Sequence, residues 1–294
     1  MRLVLPYVSI LRPHQWLKNT LVILPVLAAH QFDPATLSKA LLAFIAFSLV
    51  ASSVYVLNDF ADVEADRVHP RKCKRPFASG TIPTSQVWLL GFVPLLGGGT
   101  VAVLLGTEFV LVLSGYYLVT LAYSFFLKRR IVIDICVLAG LYTFRIIAGG
   151  AATSITLSVW LLAFSVFFFL SLAAVKRQAE LMDSQTYGNL NPQGRGYATA
   201  DLPIVANMAI SSGYVSVLVM ALYLNSPTVS KLYTTPTLLW GICLVLLYWI
   251  SRMVMITHRG RMHDDPIIFA IKDKVSLVCL AIIFAIALSG IIQW

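Results

Sequence analysis

Asn58 to Gly80 reads NDFADVEADRVHPRKCKRPFASG, directly after a nearly unbroken apolar run from Leu41 to Leu57. Carboxylates stand at Asp59, Asp62, Glu64 and Asp66, and a basic cluster follows at Arg67, Arg71, Lys72, Lys74 and Arg75. If the apolar helix continues through the acids, at about 100° per residue, Asn58, Asp59, Asp62 and Asp66 share an arc of roughly 100° and Glu64 points elsewhere. One helical face at a membrane boundary then carries three carboxylates and an amide oxygen. Hard oxygen ligands of this kind suit Mg²⁺, which keeps waters and bridges to substrate phosphates. The basic residues beyond can hold phosphate oxygens that the metal leaves free. Acids alone would repel a diphosphate; acids with Mg²⁺ and a basic rim attract it. The competing reading is a solvated loop with capping acids, and the shared face of the acids argues against it.

Working outward, the 294 residues are 59% hydrophobic and 12% charged, with a mean hydropathy of +0.82. Those values describe a polytopic membrane protein. The start, MRLVLPYVSILRPHQWLKN, lacks a small-residue cleavage site and runs into an apolar span, so no removable signal peptide is expected. Apolar runs predict nine spans, near 15–31, 36–60, 84–106, 108–127, 131–150, 157–181, 203–224, 235–257 and 275–293, in a single domain covering 1–294. With the N-terminus inside, all but Lys39, Lys231 and Arg145 of the 22 Lys and Arg residues fall in cytoplasmic segments. That bias accounts for the net charge of +9 without a nucleic-acid partner. The acids are equally lopsided: only Asp33 and Glu108 fall outside, which suggests a polar working site on the cytoplasmic side. Cys73, Cys136, Cys243 and Cys279 are scattered and form no metal-ligand spacing.

Several further residues are candidates. Lys18, in LRPHQWLKN, either snorkels to the headgroups or contacts phosphate at the mouth of the bundle. Tyr123 and Lys128 end the fourth span as cavity wall and phosphate ligand, unless Lys128–Arg130 is only a stop-transfer cluster. Asp134 and Arg145 are charged residues within the fifth span, about three turns apart on similar sides of the helix. Such groups are costly in a bilayer and turn to a bundle interior or a wet cavity; Asp134, near the cytoplasmic end, either does so or caps at the interface, and Arg145 either points into a deep polar cavity or snorkels to the outer face. At the end of the sixth span, Lys176, Arg177, Glu180 and Asp183 fit an arc of roughly 120°, a second charged face with more cation than the first. The turn-rich loop after it, SQTYGNLNPQGRGYATADLP, either closes over a ligand or simply connects. His258, His263, Asp264 and Asp265 read as a solvated loop rather than a metal site.

An apolar helix followed by N-D-x-x-D-x-x-x-D and a basic loop, in a nine-span bundle, resembles the UbiA-type intramembrane prenyltransferase superfamily. The resemblance implies an all-α bundle with a central cavity opening to the cytoplasmic side, where two polar motifs face each other, Mg²⁺ holds a diphosphate, and a lateral opening admits a lipid chain. Asn58, Asp59, Asp62 and Asp66 match the first motif. The second motif departs: where aromatic-ring prenyltransferases carry D-x-x-x-D, this chain has Lys176-Arg177-x-x-Glu180. R-P-x-Q-W-x-K-N near the start, H-P-x-K-x-x-R-P from His69 and K-R-x-x-E-L from Lys176 are similar to one branch, the decaprenyl-phosphate phosphoribosyltransferases. That branch implies transfer of 5-phosphoribose from phosphoribosyl pyrophosphate (PRPP) to a polyprenyl phosphate in a bacterial plasma membrane, the active site being cytoplasmic. Asp59, Asp62 and Asp66 would serve catalysis through the metal. Lys18, Lys72, Arg75, Tyr123, Lys128, Asp134, Arg145, Lys176, Arg177 and Glu180 would line the substrate site. Two other readings stay open: a prenyltransferase moving an isoprenyl group to an aromatic, quinone or haem-precursor acceptor, and a transporter with a midplane site.

Overall fold

The computed structural model describes residues 4–68, 72–186, 196–262 and 265–290. Arg2, His69, Pro70, Arg71, Arg195, His263, Asp264 and Trp294, most of the loop after the sixth expected span, and the side chain of Lys231 lie outside the described residues. Every regular element among the described residues is helical. Short 3-10 turns aside, they are in chain order α1 (Val4–Ile10), a 3-10 helix (Pro13–Ile23), α2 (Leu24–Ala28), α3 (Pro34–Ala61), α4 (Val63–Arg67), α5 (Val87–Leu105), α6 (Thr107–Phe125) and α7 (Ile133–Thr153). There follow α8 (Val159–Thr186), α9 (Leu202–Leu224), α10 (Pro227–Leu232), α11 (Trp240–His258), α12 (Pro266–Lys272) and α13 (Lys274–Ser289).

Among the described residues, seven helical stretches are long and apolar enough to cross a membrane: Pro34–Ala61, Thr84–Leu105, Thr107–Phe125, Ile133–Thr153, Val159–Thr186, Thr199–Leu224 and Pro236–His258. The protein is an integral membrane protein. The first and ninth expected spans come out shorter than drawn from the sequence. Lys274–Ser289 has 16 residues. The first is wound mostly as a 3-10 helix, which rises about 2.0 Å per residue against about 1.5 Å in an α-helix. Residues 13–28 therefore still cover roughly 30 Å.

The 3-10 winding has a visible use. Its period of three residues stacks Trp16, Asn19, Val22 and then Pro25 on one face, and the last three are buried. Trp16 Nε1 donates to Ser52 Oγ at 2.9 Å and Asn19 Nδ2 to Ser48 Oγ at 3.0 Å. Ser48 and Ser52 are one turn apart on α3, so the two helices meet rung by rung. Behind Val22, a Cβ added at Gly149 of α7 would lie 2.0 Å from the Val22 carbonyl oxygen. Only glycine admits that approach. Gly98 does the same for α5 against α3, where a Cβ would meet Val50 at 2.7 Å and the Ala46 carbonyl at 2.8 Å. Small residues at such contacts are how helices pack closely without a hydrophobic drive between them.

The chain divides into two compact units, residues 1–125 with 144–156 and residues 126–143 with 157–294. In the first, α3 is central, with α5, α6 and the 3-10 helix packed on it. In the second, α8 lies along α9, with α11 against both; Ser171 Oγ donates to the Ala209 carbonyl at 2.7 Å across the α8–α9 seam. Three of the acids outside the spans have a structural role. Asp33, Asp265 and Asp273 cap α3, α12 and α13, accepting from Thr36, Ile267 and Ser276 backbone N–H groups.

Candidate active site

α3 does not run unbroken through the acids. It ends at Asp62, whose φ and ψ of −96° and 7° leave the helical region, and α4 resumes at Val63. The i to i−4 bonds nevertheless continue across the break, Asp62 N to Asn58 O at 3.0 Å and Asp66 N to Asp62 O at 2.8 Å. The angular register of the acids is kept as a result. Asp59 and Asp66 are buried, Asn58 and Asp62 half-buried. Glu64 is 85% exposed and pairs with Arg67 at 2.9 Å.

The buried acids are held by two arginines. Arg75 Nη1 donates to Asp66 Oδ2 at 2.6 Å and lies 3.2 Å from Asp59 Oδ1. Arg12 Nη2 pairs with the same Asp59 oxygen, and its guanidinium sits 5.4 Å from the Tyr55 ring centroid. Arg12 was read from the sequence as a cytoplasmic charge and as the first residue of R-P-x-Q-W-x-K-N, but not as a site residue. Its placement follows from the α3 ladder: Ser52 Oγ donates to the Leu11 carbonyl at 2.8 Å, which sets Arg12 over the next turns, Tyr55 and then Asp59. Arg75 is positioned by a plug. Phe77 and Ile82, both buried, enter a core with Ile10, Val56, Val63 and Val87, and backbone bonds from Ser79 to Arg75 and Ile82 to Pro76 close the loop.

Among the described residues no three His, Cys, Asp or Glu side chains converge as a ready-made metal cage. The donors still fit Mg²⁺. Two buried carboxylate oxygens bind one guanidinium nitrogen, so they lie within about 6 Å of each other. Mg²⁺ commonly takes one or two carboxylates plus substrate phosphates rather than an all-protein cage. Asn58 Nδ2 donates to Asp62 Oδ2 at 3.3 Å, which ties the remaining two oxygen donors to the same turn.

In the second unit, Asp134 and Arg177 form a fully buried pair, Nη2 to Oδ2 at 2.5 Å, with side chains 0% and 1% exposed. Arg177 Nη1 also pairs with Glu180. Tyr197, from the segment before α9, donates to Asp134 Oδ1 at 2.7 Å and accepts from the Val132 N–H at 2.7 Å. Burial first, and then the bond to Asp134, hold the Tyr197 phenol above its ordinary range, so it remains a donor at neutral pH. Arg177 is thus engaged by two carboxylates inside the protein. Lys176, one position earlier and about 100° around the helix, is 29% exposed and lies 3.3 Å from Asp265. Asp265 was read as part of a solvated loop; its side chain is 7% exposed and also accepts from Tyr142.

Asp134 and Arg145 fall in different compact units. Arg145 belongs to the first unit, donating through Nε to Asn19 Oδ1 at 2.9 Å and through Nη2 to Tyr116 at 3.2 Å. Its guanidinium also lies 5.3 Å and 5.1 Å from the Phe47 and Tyr116 ring centroids. Such packing suits a charge kept out of hydrocarbon. Lys18 is buried on the 3-10 helix beside Asn19. Lys72 is exposed near Arg75; Tyr123 on α6 and Lys128 after it are half-buried.

A model of the UbiA prenyltransferase family matches residues 19–271. The chain belongs to that family, one of transferases. Two rhizobial proteins resemble it along most of its length. The uncharacterized protein y4nM of Sinorhizobium fredii is 39% identical over 272 residues, 92% of this chain and 53% of y4nM. Nodulation protein NoeC of Azorhizobium caulinodans is 38% identical over 275 residues, 93% of this chain and 89% of NoeC. The chain thus spans about half the length of y4nM. The decaprenyl-phosphate phosphoribosyltransferase of Mycobacterium tuberculosis is 45% identical over 187 residues, 61% of each protein. A solved UbiA homolog from Archaeoglobus fulgidus, bound to GPP and Mg²⁺, matches with a TM-score of 0.73 at 16% identity, covering 96% of this chain and 99% of that one. That is a likeness of fold.

Proposed function

We propose that this protein transfers 5-phosphoribose from PRPP to a polyprenyl phosphate, releasing pyrophosphate, with Mg²⁺ as cofactor. The observation that carries the reading is the asymmetry of the two charged faces. One presents buried carboxylates, Asp59 and Asp66, with arginines around them. The other presents Lys176, 29% exposed and 3.3 Å from Asp265, while Asp134 and Glu180 are taken up by Arg177. A prenyl diphosphate has one anionic group; PRPP has a diphosphate and a separate 5-phosphate, which suits one metal-binding face and one cationic face. The 45% identity to the mycobacterial phosphoribosyltransferase supports the same donor.

In this reading Asp59 and Asp66, with Asp62 and Asn58, would hold Mg²⁺, which would supply Lewis-acid stabilisation of the pyrophosphate leaving group. Arg75, Arg12 and Lys72 neutralise phosphate oxygens at the same end, with Lys18 and Lys128 as further cations. Lys176 binds a phosphate, and Glu180 accepts a hydrogen bond from a ribose hydroxyl. Arg177 is a positioning residue: by clamping Asp134 and Glu180 it fixes the last turns of α8. The lipid phosphate oxygen attacks C1, the C1–O bond to pyrophosphate breaks, and the charge leaves with pyrophosphate. The nucleophile is already an anion, so no general base is required. Rate enhancement comes from positioning and electrostatics. The first and last apolar helices cross the bilayer as well in this reading. They complete nine crossings of a single transmembrane domain in a bacterial plasma membrane, with the N-terminus and the working face cytoplasmic.

The test is product analysis after incubating purified protein with PRPP, Mg²⁺ and a polyprenyl phosphate. A phosphoribosylated lipid is expected. Its absence, alongside prenyl transfer from an isoprenyl diphosphate, rejects the assignment. Lys176→Gln should raise KM for PRPP roughly tenfold or more, since a lost charged contact to a desolvated phosphate costs about 2–5 kcal/mol.

A further inference from the structure

In the second unit the C-terminal half of α11, α12 and the α12–α13 junction enclose a groove of about 480 Å³. No residue of the two charged faces lines it. Tyr248, Arg252, Met255 and Arg259 line its α11 side. Their spacings of four, three and four place them within an arc of roughly 60°. The stripe is graded along the helix. Tyr248 and Met255 are 55% and 51% exposed within the apolar stretch Pro236–His258. Arg259 then caps α11, and Gly260, at φ +64°, turns the chain so that Arg261 reaches the same groove. Phe269 of α12 adds a further apolar surface.

The charges in the groove do not cancel. Arg252 grips Asp273 with two bonds, at 2.6 Å and 3.0 Å, and Asp273 also accepts from the Ser276 N–H and hydroxyl at 2.8 Å and 2.7 Å. That pair is closed on itself. Arg259 and Arg261 are exposed and make no side-chain ion pair or hydrogen bond among the described residues. Two guanidinium groups without an opposite charge among the described residues therefore stand where the apolar stripe ends. We propose that this groove binds a membrane phospholipid with an anionic head group, of the phosphatidylglycerol type. Its phosphate sits on Arg259 and Arg261 and its acyl chain lies along Met255 and Tyr248. Basic pockets at the ends of spans recognise anionic lipid heads in this way. A zwitterionic head would need an acceptor for its ammonium group, and the groove's carboxylate, Asp273, is already committed. A free phosphate would make no use of the exposed tyrosine and methionine.

The experiment uses the detergent-purified full chain, with native mass spectrometry and the thermal unfolding midpoint as readouts. Phosphatidylglycerol should be retained and should raise the midpoint; phosphatidylcholine should do neither. The double variant Arg259→Gln/Arg261→Gln should bind phosphatidylglycerol roughly tenfold or more weakly while keeping its lipid-free midpoint, since both side chains are exposed. Equal binding of phosphatidylcholine, or unchanged binding by the double variant, overturns the proposal. So does displacement of the lipid by inorganic pyrophosphate, which would mark a soluble-anion site. Should the double variant not fold, photoactivatable phosphatidylglycerol on the wild type decides: cross-links within 248–261 or at Phe269 support the site, and cross-links confined elsewhere refute it.

Discussion

Asp134→Ala should be among the most damaging single changes in this protein, through stability and not through chemistry. The substitution leaves Arg177, 1% exposed, buried with Glu180 as its remaining carboxylate and removes the acceptor of the Tyr197 hydroxyl. Breaking a buried ion pair by deleting one partner costs about 3–5 kcal/mol, because the other charge stays desolvated. On the scale of a domain this size that lowers the unfolding midpoint by on the order of 10 °C. The free thiols of Cys243 and Cys279 are buried, so a thiol-reactive dye can follow unfolding of the detergent-purified protein. Arg67→Ala is the control: its pair with Glu64 is largely exposed and should matter by less than about 1 kcal/mol. The double replacement Asp134→Leu/Arg177→Met removes both charges and should recover more than half of the loss. If Asp134→Ala melts within about 1 kcal/mol of Arg67→Ala, the buried pair is not what holds α7 to α8, and Arg177 returns to the list of direct phosphate ligands.

Two further outcomes are expected. Asp66→Asn should abolish turnover and weaken Mg²⁺ binding measured in the presence of pyrophosphate, while Glu64→Gln, on the exposed Arg67 pair, retains most activity; equal losses would sink the assignment of the buried acids. Arg252 and then Ser276 hold the Asp273 carboxyl down at about 2, so the ionised form favours the folded state. That contribution is complete above about pH 4 and is lost as pH falls through about 2. The wild-type unfolding midpoint should therefore drop more steeply than that of Asp273→Asn across this window, and parallel curves would contradict it.

Much of this protein can be read along the chain because its rules are local. Hydropathy over about 20 residues marks membrane-crossing helices regardless of their neighbours. The 3.6-residue period separates Asp59 and Asp66 from Glu64, since backbone bonds carry that register across the break at Asp62. Apolar length, which drew a span near 15–31, did not register the 3-10 winding of Pro13–Ile23, where apolar and amide residues three apart serve a 3-10 helix as well as an α-helix. What local rules cannot reach is which charges neutralise one another. Arg12 meets Asp59 from 47 positions away, and Arg177 meets Asp134 from 43. Lys176 and Arg177 are neighbours of like charge in the sequence, yet a turn of about 100° sends one to Asp265 and buries the other on Asp134. Residue type and helical angle put cations at the end of α8; only the packing of α8 against distant carboxylates decided which of them keeps contact with water. The reason is that a charge can leave water only where the fold delivers an opposite one.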